Sequence, residues 1–267
     1  MLNKITEVLR EVREKTPLVQ AITNYVTIND CANILLCFGA SPAMCEAKSE
    51  VEEFVNLISA LYINLGTLTE EQEAAALLAA KKAGELGKAI VLDPVACGAI
   101  SRKTDMVNRL FECSKISVIK GNIGEIKSLA GYHGRMRGVD SVDDGEDAAE
   151  ACRALAKKYD TVVAATGKTD IVTDGNRTCL IENGTSMLTL VTGAGCMAGA
   201  LTAAAAGVSV DKFVSTAAAL TAMGLAGEMA AASLDRELPG TFRMKLFDNI
   251  YTMTAEDVMK GGKLRCL

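Results

Sequence analysis

Tryptophan is absent, and aromatic residues make up only 4% of the chain. Base-stacking platforms and aromatic sugar clefts therefore have little material to form from. There is one histidine, His133, which excludes every zinc site built on two or three imidazoles. None of the nine cysteines (positions 31, 37, 45, 97, 113, 152, 179, 196 and 266) forms a C-x-x-C pair, so neither zinc-ribbon nor thioredoxin-like spacing is present. Their odd number in a large, core-rich chain reads as mostly reduced, packed thiols of a cytoplasmic protein. Positive charge is in deficit, with 28 Lys and Arg against 33 Asp and Glu and a net charge of −5. That argues against a non-specific nucleic-acid surface. No apolar stretch of signal-peptide type opens the chain, because residues 1–16 read as a charged amphipathic helix. The uncharged run from Met187 to Val210 holds four glycines and draws most of its apolar content from Ala. It reads as a loop and a buried helix rather than a membrane span.

What is present is ordinary globular material, 49% hydrophobic and 23% charged over 267 residues. This suffices for a sizeable core and suits a single domain over 1–267. Helical patterns cover 4–14, 29–38, 50–59, 70–86, 103–111, 147–158, 195–206, 211–231 and about 241–258. A further short helix opens at Gly121-Asn122 and runs to Leu129. Short apolar runs at 18–22, 60–64, 89–92, 116–119 and 161–165 read as strands. The stretches 171–173 and 177–182 flank Asp174-Gly175-Asn176, a hairpin signal. Residues 131–145, rich in glycine and charge, read as an exposed loop. This alternation predicts an α/β fold with a mostly parallel sheet covered on both faces and a late antiparallel hairpin. Ligands of such sheets sit at the carboxyl ends of the strands. Thr23-Asn24, Asn64 to Thr67, Asp93-Pro94, Lys120 to Asn122 and Thr166-Gly167 all fall there.

Three local patterns carry chemistry. In Val191-Thr192-Gly193-Ala194-Gly195-Cys196-Met197-Ala198-Gly199, a small-residue loop enters an Ala-rich helix. Its backbone N–H groups suit a phosphate or a developing anion, and a tight turn before a packed helix is the plainer alternative. It lacks the Gly-Lys-Ser/Thr ending of a P-loop. Cys196 stands in the first turn, where the positive end of the helix favours negative charge. It reads as a base, a nucleophile or a merely small residue. In Lys120-Gly121-Asn122-Ile123-Gly124-Glu125, Asn122 and Glu125 fit a capping box and equally a carboxylate that orders Mg²⁺. Asp93, at a strand's end before Pro94, suits metal or general-base work, or simply opens a turn.

Together these residues resemble the ribokinase-like superfamily, and the whole of about residues 10–260 resembles the hydroxyethylthiazole kinase family. The resemblance is carried by Pro17 to Gln20, Thr23 to Thr27, Ala40 to Met44, Lys48 to Val51 and Asn64 to Leu68. It continues through Leu92 to Val95, Gly121-Asn122 with Glu125-Ile126, Gly138-Val139-Asp140, Thr166-Gly167, Asp170, Val172 to Asp174, Val191 to Cys196 and Pro239 to Phe242. It implies a three-layer αβα sandwich and ATP-dependent phosphorylation of the primary hydroxyl of 4-methyl-5-(2-hydroxyethyl)thiazole in thiamin salvage. It further implies Mg²⁺ and a homotrimer with active sites between subunits. Residue by residue, the resemblance places Met44, Asn24 and Gly193 against the thiazole. Lys120, Thr166 and Asn122 fall to ATP, and Glu125 with Asp93 to Mg²⁺. Gly193, Ala194, Gly195 and Cys196 form the catalytic loop, with Cys196 taking the alcohol proton. Most ribokinase-like enzymes carry Asp at that position, and thiazole kinases typically carry Cys.

Two departures stand out. Relatives usually continue Asp-Pro-Val with Gly-Ala-Gly, where this chain has Ala96-Cys97-Gly98. Lys120 replaces an Arg found in some relatives and loses its bidentate fork. Three rival readings remain. One is a pyrimidine or pyridoxal kinase of the same superfamily, against which Cys196 argues. Another is a Cys-nucleophile enzyme, which needs His133 as partner. The last is a non-catalytic nucleotide binder, against which the retained Asn122, Glu125 and glycine loop argue.

Overall fold

Strands buried on both faces need apolar side chains on both, and the core strands of this chain supply them. A computed structural model describes residues 1–132 and 144–267. His133, Gly138-Val139-Asp140 and most of the loop expected over 131–145 lie outside the described residues. The strands are β1 (Leu18–Ile22), β2 (Ser41–Ala43), β3 (Ala60–Asn64), β4 (Ala89–Asp93), β5 (Val118–Asn122), β6 (Val162–Thr166), β7 (Asp170–Thr173), β8 (Thr178–Ile181) and β9 (Leu264–Cys266). They form one sheet in the order β2-β1-β3-β4-β5-β6-β7-β8-β9. Pairing is parallel from β2 through β6 and antiparallel from β6 through β9.

The helices are α1 (Leu2–Lys15), α2 (Ile28–Phe38), α3 (Val51–Val55), α4 (Glu70–Glu85), α5 (Ser101–Cys113), α6 (Ile123–Leu129), α7 (Asp144–Tyr159), α8 (Ala194–Val208), α9 (Lys212–Ala232), α10 (Pro239–Thr252) and α11 (Ala255–Gly261). A 3-10 helix covers Ser186–Leu190. Two cores result. Tyr62, Val91, Val118 and Ala164 face α1, α2, α8, α9 and α10. Their neighbours Leu61, Leu92, Ile119 and Val163 face α3 to α7. This is the period-2 alternation of a strand with helices on both sides, and it makes the expected αβα sandwich. Helices α8 and α9 are almost wholly buried, which is why they are built from Ala rather than from a polar and an apolar face. By length and composition α9 could cross a membrane, but 89% of its apolar window is buried inside the protein.

The structure corrects several boundaries. The helix expected over 50–59 stops at Val55, where Asn56 Nδ2 donates to the Glu52 and Glu53 carbonyls and closes it. The helix expected at about 241–258 is two, because Thr254 and Asp257 form a capping box that starts α11 afresh. The strand expected at 116–119 is displaced to Val118–Asn122, since Lys120, Gly121 and Asn122 continue in register with Ala164, Ala165 and Thr166. The edge strands β2 and β9 carry no apolar run and so leave no strand signal in the sequence. The nine cysteines are all free, but only four are buried and Cys266 is exposed.

Two backbone positions generate tests. Gly199 of α8 lies against Tyr62, and a Cβ there would sit 2.5 Å from the phenolic oxygen. Gly199→Ala is expected to destabilise the protein by about 1–3 kcal/mol, read as a lower urea midpoint at unchanged slope. Ala96 has φ +61°, the left-handed conformation that a Cβ disfavours. Ala96→Gly is expected to raise the urea midpoint by the equivalent of about 1 kcal/mol.

Candidate active site

Strand periodicity decides which polar groups meet. Tyr62 on β3 faces α8, and Asn64 on β3, Asp93 on β4 and Lys120 on β5 each stand two residues beyond one that does, namely Tyr62, Val91 and Val118. Asn64 and Asp93 are direct register partners. All four side chains are buried, beneath the loop that begins α8. That loop turns at Gly193, whose φ is +84°. A Cβ at Gly193 would collide with the Thr27 methyl, so only glycine lets the loop lie this close to the segment after β1. The Ala194 N–H is taken by the Val191 carbonyl at 3.2 Å. Helix geometry leaves the Gly195 and Cys196 N–H groups without partners inside the helix.

Lys120 Nζ donates to the Gly195 carbonyl at 3.0 Å and lies 3.4 Å from Asp93 Oδ2. Burial opposes its charge, but Asp93 and the other acidic groups around it outweigh that and hold the ammonium above its ordinary range. Burial pushes the Asp93 carboxyl up, Lys120 opposes that, and Glu125 adds to it. The Tyr62 hydroxyl lies 3.0 Å from the Cys196 carbonyl and 3.3 Å from Asp93 Oδ2, and burial pushes its pKa well up. The Cys196 sulfur accepts from Asn24 Nδ2 and Asn64 Nδ2, each at 3.3 Å. Burial pushes the thiol of Cys31, 3.8 Å from the Thr27 hydroxyl, up to about 12, which makes it a poor nucleophile.

Glu125 closes the other side. Its Oε2 accepts from the Asn122 N–H and its Oε1 from the Ala96 N–H, both at 2.9 Å. The Asn122 side chain accepts from the Glu125 N–H at 2.9 Å. The capping-box reading is therefore realised, with one carboxylate oxygen tying β4's loop to α6. Thr166, at the end of β6, donates to the Gly121 carbonyl at 3.2 Å. Met44 follows β2 and packs partly buried against the α8-side core.

The structure thus joins Asn24, Asp93, Lys120, Gly195 and Cys196 through direct contacts. Asn122 and Thr166, at neighbouring strand ends, and Glu125, in the first turn of α6, make no bond to Cys196. Sequence reasoning placed Asn64 at this rim without a role and missed Tyr62. Counting two residues back from Asn64 would have found it on the same face. Among the described residues, no three His, Cys, Asp or Glu side chains converge on a metal position. Of the two carboxylates expected to hold Mg²⁺, Asp93 is buried against Lys120, and Glu125 accepts two backbone N–H bonds that leave further lone pairs on its oxygens.

The model of the hydroxyethylthiazole kinase family matches residues 9–256. Hydroxyethylthiazole kinase 1 of Clostridium botulinum (strain Hall) is 58% identical over 264 residues, covering 99% of both chains. The hydroxyethylthiazole kinase of Desulfitobacterium hafniense is 57% identical over 267 residues and covers 100% of both. Among solved structures, hydroxyethylthiazole kinase protein from Pyrococcus horikoshii OT3 superposes with TM-score 0.91 at 39% identity, over 98% of each chain. Pyridoxal kinase from Staphylococcus aureus superposes with TM-score 0.58 at 14% identity, over 79% of this chain and 87% of that one, a likeness of fold alone. End-to-end identity above one half, on a matching fold, means that this chain belongs to the hydroxyethylthiazole kinase family.

Proposed function

We propose that this protein transfers the γ-phosphoryl group of ATP to the primary hydroxyl of 4-methyl-5-(2-hydroxyethyl)thiazole, a step of thiamin salvage. The observation that carries the reading is the Gly193–Cys196 loop, set at the start of α8 over the buried Lys120–Asp93 pair. The alcohol oxygen attacks the γ-phosphorus, the bond to the β-phosphate oxygen breaks, and ADP leaves. The alcohol proton passes to the Cys196 sulfur and from there to solvent. Such transfers need positioning and charge stabilisation more than covalent chemistry. The N–H groups of Gly195 and Cys196 supply stabilisation, with Gly193 and Ala194 shaping the loop that aims them.

Met44, Asn24 and Gly193 contact the thiazole in this reading, where a thioether suits a sulfur heterocycle. Thr166 and Asn122, at adjacent strand ends, receive ATP. Lys120 serves its phosphate end, since a buried ammonium under Gly195 reaches no further. Mg²⁺ held by Glu125 and Asp93 together with phosphate oxygens would neutralise charge on the β- and γ-phosphates. The reading includes a cytoplasmic homotrimer with sites between subunits. Tyr25 and Val26, 55% and 64% exposed directly after Asn24, support a covering copy there, as does Leu36 at 56%.

Purified protein with Mg-ATP and a panel of hydroxyethylthiazole, hydroxymethylpyrimidine, pyridoxal and ribose is expected to release ADP with the thiazole alcohol. Turnover confined to another alcohol overturns the substrate, and none on any alcohol favours a binding role. Cys196→Ala is expected to lower kcat by about 10²–10⁴, whereas Cys196→Asp is expected to match or exceed the parent. A loss of only a few-fold in Cys196→Ala would show that proton removal is not limiting. By light scattering the particle is expected at three times the 28.1 kDa of one chain.

A further inference from the structure

The hydrogen bonds around Cys196 leave no freedom in how two amides are oriented. The Asn24 side-chain oxygen accepts from the Thr27 N–H at 3.1 Å. The Asn64 side-chain oxygen accepts from the Gly66 N–H at 3.0 Å. A backbone N–H only donates, so both amide oxygens are fixed and both NH₂ groups must face the other way. Asn24 Nδ2 then donates to Asn64 Oδ1 at 2.9 Å and to the Cys196 sulfur. Asn64 Nδ2 donates to the Tyr62 hydroxyl at 3.0 Å and to the same sulfur. Every polar hydrogen of the two amides is used, and two of the four point at one sulfur atom. Tyr62 completes the arrangement, holding the Cys196 carbonyl at 3.0 Å.

A neutral thiol gains little from two amide donors, whereas a sulfur carrying negative charge gains much more. We propose that Asn64, braced by Tyr62, is a positioning residue for phosphoryl transfer. With Asn24 it holds the Cys196 sulfur as a hydrogen-bond acceptor, so that negative charge resides there and the alcohol proton has somewhere to go. The proposal rests on Cys196 being the proton acceptor. It explains why Asn64, the last residue of β3, carries an amide rather than a carboxylate. An acid in its place would present an oxygen to the sulfur where a donor is needed, while still accepting from Gly66.

The test uses Asn64→Asp, alone and combined with Cys196→Ala. Alkylation of Cys196 by iodoacetamide is followed against pH by mass spectrometry of its own peptide. In Asn64→Asp the pH midpoint of that alkylation is expected to rise by about one unit. The kcat is expected to fall about tenfold or more, with KM for the thiazole alcohol changed less than about threefold. In the Cys196→Ala background the same substitution is expected to change kcat by less than about twofold, since a residue acting through Cys196 has nothing left to act through. An unmoved alkylation midpoint, or effects on kcat that multiply independently, overturns the proposal. If Cys196→Ala alone keeps nearly full turnover, the proton-acceptor reading falls, and the alkylation profile still shows separately whether the amides act on the sulfur. Should Asn64→Asp fail to fold, Tyr62→Phe decides: a raised midpoint supports the bracing role, and an unchanged one refutes it.

Discussion

A lysine sealed inside a sheet has to be paired, and much of this site is arranged around that requirement. Lys120 lies under the start of α8 with Asp93 on one side and the Gly195 carbonyl on the other. Removing either charge would leave the other buried alone, at a cost of about 3–5 kcal/mol. The pair therefore pins β4 and β5 to one another and draws the Gly193–Cys196 loop down onto the sheet. Because Lys120 engages the loop through a carbonyl, the N–H groups of the same turn face the opposite way. A positive charge below and free donors above suit a group that is negatively charged throughout its reaction.

The second consequence concerns Cys196. Charge on a half-buried sulfur is expensive, so the proposed proton acceptor has to be given donors in advance. The donors here are neutral amides, and their orientation is set by backbone N–H groups of Thr27 and Gly66 that belong to two different strand-to-helix connections. Neutral donors stabilise negative charge on the sulfur without adding a cation that would compete with Lys120 for Asp93 and Glu125. The thiol thus fits the electrostatics of its surroundings, with Asp93 and Glu125 already close to one ammonium.

The parts of the fold legible in the sequence were those where one physical rule dominates. β1, β3, β4 and β6 are short apolar runs because both their faces are buried, and their bounds follow from the sequence to within a residue. β5 was displaced because Lys120, Gly121 and Asn122 look like a loop until their register with β6 is known. β2 contains Pro42 and β9 contains Arg265, and as edge strands neither needs the apolar run that betrays a central strand. In the site, the Gly193–Cys196 loop and Asp93 announced themselves by local pattern. Tyr62 did not, since an aromatic in a strand is ordinarily core, and its role depends on which face it shares and on what α8 places opposite.

Glu125 shows why two readings of one motif need not compete. As a capping residue it accepts from Asn122, and its second oxygen accepts from Ala96 across the neighbouring connection. A carboxylate offers about four lone-pair directions, so two N–H bonds use half of them and fix its plane. A carboxylate held that firmly pays little entropy when phosphate-bound Mg²⁺ approaches. The strained Ala96 has a place in the same logic: its left-handed conformation turns the N–H toward Glu125. The capping box, the strained turn and the carboxylate proposed to order Mg²⁺ are then three aspects of one local structure, set beside Lys120 and Asp93 at the carboxyl edge of the sheet.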